Sequence, residues 1–383
     1  MKKIYADNSS TSFPKPNVVG SALLQYINNI GTNVARGNYE QSYSAGRIVF
    51  ETRELLCEIF NFDEPLNVVF TSNITESLNI IIKGALKAGD HVITTSMEHN
   101  SVIRPLHTMT RLGVELTSVR CNKEGLLDID LFSQGLMSST RLVIVNHVSN
   151  VCGTIQQIEK IGHLCKSRGI DFIIDSAQSA GILPIDFFKL GLSALPFTGH
   201  KGLMGPQGVG GLILSSSFAS KLQAFKEGGT GSFSEQEYQP EVLPDKFESG
   251  TLNIPGIFGL NAALKYIREI GTETIAGHEK HLGNLFLNNV LNIDGIKLHG
   301  MKSSENRTSV FSLTFDKMET AEVAYLLDSR YGIMTRSGIH CSPLAHKTLG
   351  TFPEGTVRFS FGYFNTEEEI DYICRAINEI SKL

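Results

Sequence analysis

Lys201 stands in Thr198-Gly199-His200-Lys201-Gly202, directly after an apolar run at 194–197. A lysine at a strand end, flanked by glycines, is well placed to bond an aldehyde cofactor as a Schiff base and later to move a substrate proton. Taken alone, the same lysine serves equally well as a solvated side chain or a phosphate contact. Asp175 ends another apolar run, at 171–174, and opens Asp175-Ser176-Ala177-Gln178. A carboxylate at the end of a buried strand is costly unless paired. It can pair with a protonated pyridine nitrogen, which favours the electron-withdrawing form of the ring. It can also simply cap a helix. Gln178 can then donate to a ring oxygen. Lysine and carboxylate together point to pyridoxal phosphate.

A phosphate needs free N–H groups. Ile74 and Thr75 open a helix after a strand at 67–71, and a helix N-terminus offers such groups. A capping threonine without a ligand explains the same segment. His99, in Met97-Glu98-His99, follows a strand at 91–95, where a flat ring can cover a cofactor face. A lone histidine is as well read as structural. His147-Val148-Ser149-Asn150 closes a further strand. His99, Asn150, Asp175 and Lys201 therefore converge at strand C-termini, where open α/β sheets bind ligands.

The elements that must position these groups alternate. Strand-like runs lie at 67–71, 91–95, 114–119, 141–145, 171–174, 194–197 and 208–214, with helices near 74–87, 100–112, 128–137 and 155–168. That pattern predicts a mostly parallel sheet with helices on both faces. Helices are expected at 15–30 and 40–60, a long loop at 228–256, one helix over 257–292, and then a smaller α+β unit. The expected division is an N-terminal segment 1–30 packed on the small unit, a large cofactor-binding unit 31–256, and a small unit 257–383 carrying the cysteine loop.

The chain has 383 residues, 41% hydrophobic and 19% charged, with a formal net charge of -5, as expected of a soluble globular protein. No basic stripe marks a nucleic-acid surface, and no stretch is long and apolar enough for a membrane span. The N-terminus lacks the apolar run of a signal peptide. Six cysteines at irregular spacing argue against zinc or a disulfide framework, and for reduced thiols in a cytoplasm. Cys57, Cys165 and Cys374 read as small buried apolar residues.

The motifs as a set resemble the cysteine desulfurase and selenocysteine lyase group, of the class V aminotransferase fold (fold-type I of the pyridoxal enzymes). Tyr5-Ala6-Asp7-Asn8, Met97-Glu98-His99, His147-Val148-Ser149-Asn150, Asp175-Ser176-Ala177-Gln178, Thr198-Gly199-His200-Lys201, Phe247-Glu248-Ser249-Gly250-Thr251 and Arg336-Ser337-Gly338-Ile339-His340-Cys341 carry the likeness. The resemblance implies a cofactor-bearing Lys201, with Asp175 at the pyridine nitrogen, Gln178 at the ring oxygen and His99 stacked on the ring. It implies phosphate ligands at Ile74, Thr75, Thr198 and His200. Thr251 is implied to reach the phosphate of a neighbouring subunit, hence a homodimer. Arg358 and Arg336 are implied substrate-binding residues, Arg358 clamping a carboxylate, and Asn150 a substrate or cofactor contact. Cys341 is implied to accept sulfur from L-cysteine, leaving L-alanine. L-selenocysteine is the alternative substrate, and a sulfur-acceptor protein the expected partner. Where relatives carry a histidine, this chain reads Asn33-Val34-Ala35-Arg36-Gly37, which bears on substrate and partner preference. His340 is expected to point away from the Cys341 thiol, because neighbours in an extended loop face opposite sides.

Overall fold

Runs rich in valine, isoleucine and threonine form the strands, because branched side chains pack well on a pleated surface. The computed structural model describes residues 3–34 and 37–383, so Ala35 and Arg36 of the departing segment lie outside the described residues. The strands are β1 (Ile4–Tyr5), β2 (Val68–Thr71), β3 (His91–Thr95), β4 (Glu115–Val119), β5 (Thr140–Asn146), β6 (Asp171–Asp175), β7 (Ala194–Thr198), β8 (Gly210–Leu214), β9 (Ile296–His299), β10 (Val310–Phe315), β11 (Ile333–Met334), β12 (Arg336–Gly338) and β13 (Thr356–Ser360).

Strands β2 to β8 make a seven-stranded sheet in the order 2-8-7-6-5-3-4. All neighbours are parallel except those of β8, which runs antiparallel to β2 and β7. Alternation along the strands sends Phe172 and Ile174 into the core on one face and Ile173 into the core on the other. Both faces are covered, so the fold is α/β, as its pattern predicts. After β3 the chain runs outward to β4, then returns past β3 to lay β5 on its other side. The strand order therefore reverses between β3 and β5, which opens a crevice beyond their C-terminal ends.

A second sheet, antiparallel in the order 12-13-10-9, encloses its own core around Phe286, Phe311 and Phe359. β1 pairs in parallel with β11, and Ile4 and Ala6 enter that smaller core.

The single helix expected over 257–292 is two, Ile254–Ile270 and Thr272–Val290. Gly271 separates them at φ 89°, a conformation that side chains with a Cβ avoid. The first packs Ile257, Leu260, Leu264 and Ile267 into the large core, whereas Leu282 and Phe286 of the second enter the small one. Ile275, just past Gly271, still belongs to the large core, so the change of packing partner comes within the second helix. The helix expected over 15–30 is an α-helix, Asn17–Gln25, continued by a π-helical turn, Tyr26–Ile30. Its Val19 belongs to the large core, so the N-terminal segment divides between both units. The short strands β1, β9, β11 and β12 escape sequence reading because two to four residues carry no measurable period. Among the described residues, no helix is long and apolar enough to cross a membrane.

Candidate active site

The loops after β2, β3, β5, β6 and β7 meet at one edge of the large sheet. They line a cleft of roughly 710 Å³ with Ile74, Thr75, His99, Asn150, Asp175, Gln178, Thr198, His200 and Lys201 among its walls. Ser10 and Asn146 join them.

Asp175 is the last residue of β6 and is buried. Its Oδ1 accepts from Ala177 N at 2.9 Å, and no regular helix follows. Burial raises its carboxyl above the usual range, while that N–H and the Lys201 charge oppose the rise. Lys201 sits three residues beyond β7 in a turn closed by Met204 N on Lys201 O at 2.8 Å and Gly205 N on Gly199 O at 2.8 Å. Glycine is required beside it: a Cβ on Gly202 would stand 2.4 Å from Ala180 O, so the Lys201 turn and the Asp175 turn touch only because residue 202 has no side chain. Burial pushes the Lys201 amine down to about 8, against the pull of Asp175.

Helix Ile74–Ala85 points its N-terminus into the cleft. Asn73, not Thr75, caps it, accepting from Glu76 N at 3.1 Å. Glu76 in turn accepts from Ser72 N at 2.7 Å, a reciprocal cap. Among the described residues, Thr198 Oγ1 and His200 Nδ1 are buried without a hydrogen-bond partner. Two orphaned polar atoms beside a helix N-terminus fit a phosphate. A buried carboxylate raised by its burial fits a pyridinium nitrogen, and a depressed lysine fits an aldehyde. The residues present therefore fit pyridoxal phosphate.

His99 caps helix Asn100–Thr110, its Nδ1 accepting from Ser101 N at 3.1 Å. That bond requires a lone pair on Nδ1 and leaves the ring proton on Nε2. Burial, helped by the Lys201 charge, pushes His99 down to about 4, so the ring is neutral. Gln178 Nε2 donates to Ser9 O at 3.0 Å, tying the N-terminal segment to the cleft wall.

Cys341 is exposed, and the other five cysteines are buried. Its carbonyl accepts from Asn100 N at 2.9 Å, which docks the cysteine loop on the helix that His99 caps. Arg336 Nη2 donates to Cys341 Sγ at 3.7 Å. His340 is buried against His346, with ring centroids 5.5 Å apart, and burial pushes it down to about 2. Its side chain thus leaves the exposed thiol to Arg336. The backbone there is left-handed rather than extended, at φ 48° for His340 and 58° for Cys341.

Arg358, in β13, is buried and donates to Asp7 Oδ1 at 2.6 Å, Ser10 Oγ at 2.8 Å and Asn150 O at 3.0 Å. Arg336 Nη1 donates to the same Ser10 Oγ at 3.3 Å. Thr251 is exposed and lines a separate hollow with Ser72, Glu76 and Lys226. Glu248, three residues earlier, anchors that loop by gripping buried Arg53 at 2.9 and 3.0 Å.

Sequence reasoning missed Asp7, Ser10 and Ser342 as working partners. Asp7 lay in a motif quoted for the likeness, but nothing in it named an arginine 351 residues away. Glu98 was also missed: it is fully buried, accepts from Thr95 Oγ1 at 2.6 Å and Asn146 N at 3.1 Å, and is pushed by burial up to about 8.

The family model for aminotransferase class V matches residues 4–373. The chain belongs to that family. A probable cysteine desulfurase of Methanothermobacter thermautotrophicus is 35% identical over 382 residues, covering 99% of this chain and 94% of the relative. A cysteine desulfurase of Vibrio vulnificus, IscS, is 33% identical over 390 residues, covering 98% of this chain and 91% of the relative. The apo structure of a cysteine desulfurase from Thermococcus onnurineus NA1 superposes with a TM-score of 0.93 at 33% identity, covering 99% of this chain and 95% of that one.

Proposed function

We infer that this chain is a pyridoxal-phosphate-dependent cysteine desulfurase, converting L-cysteine to L-alanine with a persulfide left on Cys341. The observation that carries the reading is the exposed Cys341 thiol. It is hydrogen-bonded by Arg336, and its loop docks on the helix whose cap, His99, lines the same cleft as Lys201 and Asp175.

Bound pyridoxal phosphate supplies an electron sink for the substrate's α-carbon. The chain does the rest. Helix 74–85, Thr198 and His200 would hold the phosphate, and Asp175 would favour a protonated pyridine nitrogen. His99, Gln178 and Asn150 would line the ring's site. Arg358 and Arg336 present guanidinium groups suited to the substrate carboxylate. The neutral Lys201 amine takes the α-proton. The Cys341 thiolate attacks the substrate sulfur: the sulfur–sulfur bond forms as the carbon–sulfur bond breaks, and the carbon takes up a proton to leave alanine.

The same reading divides the work between a cofactor-binding unit over 31–256 and a smaller unit over 257–383 carrying the cysteine loop, on which the segment 1–30 packs. It makes the enzyme a cytoplasmic homodimer in which Thr251 reaches the partner's phosphate. Exposure of Cys341 gives a sulfur-acceptor protein access to the persulfide. The site has no feature that excludes L-selenocysteine.

The test is alanine release from L-cysteine by the cofactor-loaded protein, with mass mapping of the persulfide. Alanine with an extra sulfur on Cys341 is expected. Bound cofactor without turnover would instead mark a scaffold that only docks a sulfur carrier.

A further inference from the structure

Asn150 lies in the loop after β5, four residues beyond the strand, buried in the cleft wall. Its side-chain amide is spent on the cysteine loop. Nδ2 donates to His340 O at 2.8 Å, and Oδ1 accepts from Ser342 Oγ at 2.8 Å. One amide therefore grips the residues on both sides of Cys341. Its own carbonyl accepts from Arg358 Nη1 at 3.0 Å. The loop needs holding: His340 and Cys341 are adjacent non-glycine residues in the left-handed region, which persists only where surroundings fix it. The loop is also held by Asn100 N on Cys341 O at 2.9 Å, Arg336 Nη2 on Cys341 Sγ at 3.7 Å, His340 Nε2 against Thr356 Oγ1 at 3.2 Å, and backbone bonds from Ser342 N to Ile339 O at 2.9 Å and from His346 N to Ser342 O at 3.2 Å.

We propose that Asn150 is the positioning residue of the cysteine loop. It links the cofactor cleft to the thiol by clamping His340 and Ser342, so that Cys341 is presented to the cleft in a fixed, strained conformation. This rests on the desulfurase reading for its consequence in catalysis, but not for its structural content. Ser342, the far side of the clamp, does not line the cofactor cleft. Loosening the clamp there therefore lowers kcat while KM for L-cysteine stays unchanged.

The experiment compares wild type, Asn150→Ala and Ser342→Ala as purified with bound cofactor. Hydrogen exchange is followed over residues 338–343, alongside the visible cofactor absorbance and the kinetics of alanine release. Removing both bonds in Asn150→Ala is expected to speed exchange roughly ten- to thirtyfold, and removing one in Ser342→Ala roughly fivefold, on the ordinary worth of a hydrogen bond. In Ser342→Ala kcat should fall with KM and absorbance unchanged, while Asn150→Ala, at a residue that also lines the cofactor cleft, is judged by exchange. Unchanged exchange in both variants overturns the proposal. So does loss of cofactor absorbance in Asn150→Ala with the loop still protected, which would place the amide's work on the cofactor. If Asn150→Ala does not fold, Ser342→Ala decides alone: faster exchange supports the clamp, and unchanged exchange overturns it. If wild type makes no alanine, the desulfurase reading fails, while the exchange result still decides the clamp.

Discussion

Arg336 and Arg358 stand directly opposite each other across the antiparallel pair β12–β13. Like charges in that position repel. Here Asp7 neutralises Arg358, and both arginines donate to Ser10 Oγ. In the proposed reaction an arriving substrate carboxylate would relieve the remaining repulsion. The two arginines differ in burial, and so in what their removal does. Arg358→Ala leaves Asp7 without its buried partner and should cost about 3–5 kcal/mol in urea unfolding. Arg336→Ala should leave the unfolding midpoint nearly unchanged. It should raise KM for L-cysteine roughly ten- to a hundredfold, the worth of a charged hydrogen bond. Equal destabilisation by both changes would refute this division.

Covalent loading of the cofactor should report the Lys201 amine directly. The neutral amine is the nucleophile, and burial sets its pKa at about 8. When cofactor-free protein is mixed with pyridoxal phosphate, the rate of visible-band growth should rise about tenfold per pH unit below 8 and level off above it. A rate still climbing at pH 10 would mean an ordinary, unperturbed lysine. Borohydride reduction and peptide mapping should place the label on Lys201, and Lys201→Ala should abolish it.

Stability of the cofactor-free protein should peak between about pH 6 and 7. Burial pushes His99, His147, His200, His299 and His346 down to about 4 and His340 to about 2. Below about pH 6.5 the unfolded chain protonates these six and the native one does not, so stability falls as pH drops. Burial also pushes Glu98 and Glu279 up to about 8, so the native state keeps two protons that the unfolded state has lost. Stability therefore declines as pH rises from about 6.5 toward 8, where the histidines no longer oppose it. Chemical unfolding across pH 4 to 8.5 would show the maximum; a monotonic rise to pH 8 would mean that the two carboxyls are ionised in the native state.

Cys341→Ala should separate two substrates. With L-cysteine the sulfur needs a nucleophile to receive it, so alanine formation should vanish. The carbon–selenium bond is weaker and a selenol ionises more readily, so alanine release from L-selenocysteine should persist. Undiminished desulfuration in the variant would remove Cys341 from the reaction. Loss of both activities would assign it to holding the site together.

Thr251 lines a hollow apart from its own chain's cleft. In a homodimer whose Thr251 meets the partner's phosphate, Thr251→Val should weaken cofactor binding roughly tenfold or more, the loss of one hydrogen bond to a charged group. Equilibrium dialysis measures that loss, and sedimentation of wild type should give a dimer. A fully active monomer would refute the shared site.

The sequence by itself determined the alternation of strands and helices, because side-chain period is a local property. It also placed Lys201, Asp175, His99 and Asn150 at strand ends, and a parallel sheet gathers such ends at one edge whatever else the chain does. The helix break at Gly271 was local too, yet one glycine within an apolar stretch does not state its φ. Three relationships were settled only in the tertiary structure. Arg358 meets Asp7 across 351 positions, Asn150 grips His340 across 190, and Arg336 faces Arg358 across a strand pair too short to show a pattern. Their physical reason is common. Each depends on strand register or on loops from different sheets meeting, so register and loop geometry, not spacing along the chain, decide which polar groups come together.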